Sequence, residues 1–133
     1  MPGHLAVMLA LATWMVWMLA SVAPPKAPAF QRAPHFLTEL DELWVDLRIE
    51  PHPDIRAVVL EAWGGEMGEF ACAPEPLFLV RGSSEPVNEA NPTQRTFRYH
   101  WRQAFAEGCY VLLAKSVLPR GVTRERKQVM EVR

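Results

Sequence analysis

The chain of 133 residues carries 12 prolines, 7 glycines, a charged fraction of 22% and a formal net charge of −1. That length holds one domain of about 100 residues and an appendage. The near-zero net charge argues against a dedicated nucleic-acid binder, so no nucleic acid is expected among its partners, and the ordinary charged fraction argues against global disorder.

The apolar content is concentrated at the start, where Leu5 to Val22 runs without a charged side chain. At about 1.5 Å per residue those 18 residues reach about 27 Å, close to the roughly 30 Å of a bilayer's hydrocarbon core. A cleaved signal peptide would want a basic start and a small-x-small exit. Here Met1-Pro2-Gly3-His4 has no Lys or Arg, and the best exit, Ser21-Val22-Ala23, is followed by Pro24. A retained transmembrane anchor over residues 1–22 is therefore expected.

Gly3, Ala6, Ala10, Thr13 and Ala20 fall on one stripe of that helix, broken by Trp17, and small residues let a second helix approach closely. Trp14 and Trp17 lie mid-span although tryptophan prefers the headgroup region. Gly3, Ala6, Ala10, Thr13, Trp14 and Trp17 are thus candidates for a helix interface within a membrane complex, against the simpler reading that any alanine-rich helix produces such a stripe. The span has no histidine to serve as an axial ligand, and no cofactor is expected. Lys26 and Arg32 favour a cytoplasmic C-terminal side by charge count, whereas a short signal anchor commonly exports the domain behind it; the reading adopted is a single-pass protein with an extracytoplasmic, periplasmic domain.

Residues 23–42 read as a proline-rich spacer, with Pro24, Pro25, Pro28 and Pro34, followed by a possible short helix in which Phe36, Leu37, Leu40, Leu43 and Trp44 recur at helical spacing. From Leu43 the pattern turns to period two: Leu43, Val45, Leu47 and Ile49 alternate with Trp44, Asp46, Arg48 and Glu50. After the turn Pro51-His52-Pro53-Asp54 come strands over Ile55 to Trp63 and Leu77 to Arg81, then a polar loop from Pro86 to Gln94. Arg95 to Trp101 places Phe97, Tyr99 and Trp101 on one face and Thr96, Arg98 and His100 on the other; Cys109 to Leu118 and Thr123 to Val132 complete the set. Six to seven short strands spaced by turns predict an all-β, two-sheet sandwich over residues 43–133.

Within it, VDLRIEPHPDIRAVVLEAW and QRTFRYHWRQAFAEGCYVLLAKSVLPRG resemble the small immunoglobulin-like or fibronectin type III-like domains that stand behind leader segments in many bacterial proteins. Tyr110 is similar in placement to the tyrosine that pins the corner of such sandwiches. The resemblance implies a fold and brings no catalytic residues.

Cys72 and Cys109 could pair, gaining about 3 to 4 kcal/mol from loop closure, or remain separate thiols. Tyr110, Leu112 and Ala114 take the predicted core face, which turns Cys109 outward beside Val111 and Leu113. The histidines at 4, 35, 52 and 100 are scattered, with no Cys-x-x-Cys, and His52 with Asp54 reads as turn chemistry. No serine sits in a nucleophile elbow and no glycine-rich loop follows a strand, so no catalytic residue is assigned.

Up to Gln94 five basic residues meet twelve acids; from Arg95 onward nine meet three. Either these neutralise one another in the folded domain, or Arg120, Arg124, Arg126 and Lys127 form a basic rim for acidic protein loops or anionic lipid. With Trp44, those residues are the expected extrinsic interface, and Phe70, Val111 and Leu113 are further exposed candidates. The function expected is a non-catalytic accessory or scaffold subunit. Its partners would be membrane lipid and the subunits of a membrane complex, of respiratory or of photosynthetic reaction-centre or antenna type. The alternative is a free-standing exported binding module for peptide, glycan or envelope polymer.

Overall fold

The structure is a computed structural model and describes residues 23–83 and 95–133. The anchor, with Gly3, Ala6, Ala10, Thr13, Trp14 and Trp17, and the polar loop at 86–94 lie outside the described residues. Among the described residues no helix is long and apolar enough to cross a membrane.

A strand forms in all six predicted places: β3 Leu43–Arg48, β4 Ala57–Gly64, β5 Phe78–Gly82, β6 Thr96–Trp101, β7 Gly108–Val117 and β8 Thr123–Val132. Two short strands precede them, β1 Ala29–Arg32 and β2 Phe36–Leu37. The strands form a three-stranded sheet in the order β1-β3-β6 and a five-stranded sheet in the order β2-β8-β7-β4-β5. All pairings are antiparallel except β2 with β8.

One apolar core joins the sheets, because each strand sends every second side chain inward. Leu43, Val45, Leu47, Phe97 and Tyr99 from the first sheet meet Leu60, Ala62, Tyr110, Leu112, Ala114, Met130 and Val132 from the second. The Tyr99 hydroxyl donates to the Val58 carbonyl at 2.8 Å, and burial pushes its phenol well above the ordinary range. The Tyr110 hydroxyl donates to the Ala106 carbonyl, four residues back, at 2.7 Å. Phe105, on the connection from β6 to β7, stands edge-on to both Trp101 and Tyr110.

Three expectations need correction. The segment 29–37, expected as spacer and helix, contributes β1 and β2. Pro28 is fully buried just ahead of β1, where a missing backbone N–H costs no ladder bond. The helical spacing beyond Phe36 fails because β8 captures the backbone: Arg133 N–H donates to the Leu37 carbonyl and Glu39 N–H to the Arg133 carbonyl. Asp41 then closes a turn on Thr38, leaving Leu40 in solvent. Val111 and Leu113 do lie on the outer face of β7, but they are 0% and 5% exposed. Trp63 stands opposite Val111, and Glu61, opposite Leu113, gathers the Lys115 ammonium and the Trp63 indole N–H, so long side chains close over the strand. Trp101 shares the inward face with Phe97 and Tyr99 but is only half-buried at the end of β6.

Candidate docking site

Beyond Gly64 the chain makes a miniature hairpin. Ala73 N–H donates to the Glu66 carbonyl, Met67 bridges Cys72, and Gly68 N–H donates to the Ala71 carbonyl at 2.7 Å. A Cβ on Gly68 would lie 2.7 Å from that same oxygen, so the turn requires glycine. Phe70 is carried at the tip of this turn, 93% exposed. A disulfide between Cys72 and Cys109 fastens the hairpin to β7, with Cα atoms 5.5 Å apart.

The chain then returns as β5, which pairs only with β4 among the described residues and forms one margin of the five-stranded sheet. Leu77, Phe78, Leu79 and Val80 are all exposed, Phe78 to 60% and Leu79 to 52%. A register shift opposite Ala62 and Trp63 leaves Val80 without a partner on β4. The phenyl ring of Phe78 fills the space over Gly64 where a side chain would otherwise stand. Met67 and Phe70 add exposed apolar side chains beside this strand, and the charged residues between Gly64 and Phe78, namely Glu66, Glu69 and Glu75, are all acidic. The one base on β5, Arg81, is turned away: its guanidinium donates to the Gln103 and Ala104 carbonyls at 2.6 and 2.7 Å and lies 3.9 Å over the Phe105 ring. Burial raises the Tyr110 phenol above its usual value, and the nearby Arg81 charge opposes that rise.

The residues expected to form the extrinsic interface do not converge. Trp44 lies on the outer face of the three-stranded sheet, stacked on His100 at 3.8 Å, with His100 joined to Glu42 at 2.9 Å. Beside it Arg98 forms a two-pronged bond to the mostly buried Asp46, directly opposite on β3. Arg120 occupies the turn before β8 at a φ of 66°. Arg124 and Arg126 follow one face of β8, in line with the core residues Met130 and Val132, while Lys127 follows the other. Phe70 is exposed as expected, whereas nothing in the spacing points to the β5 edge. The run Leu77 to Val80 reads equally well as a strand buried on both faces, and only the position of β5 at the sheet margin leaves it bare.

Chemically the region offers apolar contact, a strand margin unpaired among the described residues, and negative charge. Among the described residues no group of three or more His, Cys, Asp or Glu side chains is placed to hold a metal ion. Fold and site together define an all-β domain of two sheets with one apolar, acid-rimmed margin. Against known proteins, no family model matches the chain, and no curated protein matches it.

Proposed function

We propose that the protein is a non-catalytic, membrane-anchored accessory or scaffold subunit whose immunoglobulin-like domain docks a neighbouring subunit through the β5 margin. The observation that carries this reading is Phe70, held out on a glycine-dependent turn that a disulfide has already immobilised. A backbone ordered before contact loses little entropy on binding, which is how rigidly mounted anchors gain affinity. An apolar patch of this kind, rimmed by polar residues, is characteristic of protein interaction surfaces. The acids around it select a partner segment that is apolar and flanked by Lys or Arg, and they disfavour a second copy of the same surface. The strand order and the Tyr110 to Ala106 bond support the immunoglobulin-like reading. The disulfide supports an extracytoplasmic location, since such bonds persist in oxidising compartments.

Native electrophoresis of the full chain, extracted in mild detergent, tests this. The wild type is expected to migrate with a larger membrane complex, and Phe70→Ser combined with Leu79→Ser to leave it while remaining membrane-bound. A wild-type protein that migrates alone would favour the exported binding module. Intact mass tests the anchor separately, since a species lacking about the first 20 residues would mean a cleaved leader.

A further inference from the structure

At the opposite end of β4 from Phe78, where the chain arrives from its N-terminal apolar run, lies a cavity of about 420 Å³. Its lining brings four cationic side chains from four separate segments: Lys26 ahead of β1, Arg48 at the end of β3, Arg95 ahead of β6 and Arg126 on β8. The one carboxylate there, Glu50, already pairs with Lys26 at 3.1 Å. Among the described residues neither Arg48 nor Arg126 has an ion-pair partner. The frame is fixed by strand pairing and by hydrogen bonds to backbone carbonyls. Ala29 is in register with Arg48, Ile49 N–H donates to the Arg95 carbonyl at 2.7 Å, and the Ser116 hydroxyl donates to the Lys26 carbonyl at 3.0 Å.

Gathering like charges around a concave space raises the energy of the empty site and is relieved by an anion. Guanidinium groups match phosphate oxygens two at a time, and the volume falls in the usual range for small-molecule sites. We propose that this cavity binds a phosphate-bearing anion, with Arg48, Arg95 and Arg126 as its ligands. The preferred source is an anionic phospholipid headgroup, which rests on the anchor reading. Lys26 is four residues beyond Val22, so covalent geometry keeps it within about 14 Å of the end of the apolar run. If that run spans the bilayer, the cavity stands at headgroup level, where basic pockets take lipid phosphates.

The test follows the thermal midpoint of the full chain in zwitterionic detergent as inorganic phosphate replaces chloride at constant ionic strength. A saturable rise of at least about 4 °C is expected at high excess. Arg48→Gln with Arg126→Gln should abolish it, and in chloride this variant should melt no lower than the parent because repulsion is relieved. Arg124→Gln with Lys127→Gln removes the same charge outside the cavity and should keep the response. In phosphatidylcholine vesicles containing phosphatidylglycerol, a raised midpoint to which free phosphate adds nothing assigns the site to lipid. A midpoint indifferent to the lipid but still raised by free phosphate assigns it to a soluble anion. If neither probe acts, or both variant pairs respond alike, the proposal fails. The free-phosphate measurement does not depend on the leader, so loss of the anchor reading would leave it intact.

Discussion

The five-stranded sheet has two margins built on different terms. On one side β2 is two residues long, pairs in parallel with β8, and is finished by charge: Arg133 lies 4.6 Å over the Phe36 ring and bonds Glu131. On the other side β5 is five residues long and shows Phe78, Leu79 and Val80 to solvent with no exposed base among them. Folded chains ordinarily blunt a strand margin with short length or charge, because unpaired backbone invites further strands. The β2 margin obeys that practice, and β5 uses only a bulge and the prolines ahead of it. The difference teaches that the fold is capable of closing a margin and, among the described residues, leaves this one available.

The comparison can be broken first at the core, which should hold the fold with no help from β5. Phe97→Ala is expected to cost about 3 to 5 kcal/mol in denaturant unfolding. A loss under about 1 kcal/mol would mean that the interior is elsewhere. Next comes the fastening of the open margin: Cys72→Ser with Cys109→Ser releases a 37-residue separation and should cost about 3 to 4 kcal/mol, with hydrogen exchange rising fastest between Glu66 and Ala73. Unchanged exchange there would show that the hairpin orders itself. A smaller effect separates the protected interior from the surface by pH. Tyr99 in the unfolded chain loses its proton near its ordinary value of 10, while the folded protein holds it beyond that. Its stabilising contribution is therefore complete below about pH 10 and is lost as pH rises toward the folded value. Tyr99→Phe should flatten that alkaline decline and, by deleting the bond to Val58, cost about 1 kcal/mol at neutral pH. An equally steep decline in the variant would place the titrating group elsewhere. The smallest stability effect is expected at the site itself: Phe70→Ser should change unfolding by less than about 0.5 kcal/mol. A loss above about 1 kcal/mol would make Phe70 part of the fold and not a free contact.

Most of the β framework could be read from the chain because alternation is a local signal: Leu43 to Leu47 and Phe97 to Tyr99 carry their inward face in their own spacing. β1 and β2 could not, because Phe30 and Leu37 are strand residues only by virtue of the margins they lie against. The same limit hid Val111 and Leu113, whose covering comes from Trp63 and Glu61 on the neighbouring strand and from Lys115 on β7 itself. The basic residues were visible, but strand parity sends Lys127 to the face opposite Arg124 and Arg126. Arg126 instead meets Arg48 and Arg95, a convergence of distant segments that no spacing announces.

Arg81 has a further consequence. By gripping the Gln103 and Ala104 carbonyls from within β5, it joins the sheet margin to the loop that carries Phe105. A marginal strand normally frays alone, yet here its C-terminal half can open only if that loop gives way and Phe105 loses its cover. Opening is thereby made cooperative. The amide of Gly82 should exchange together with those of the 103–105 loop, while Phe78 and Leu79 remain free to meet a partner without waiting for the domain to breathe.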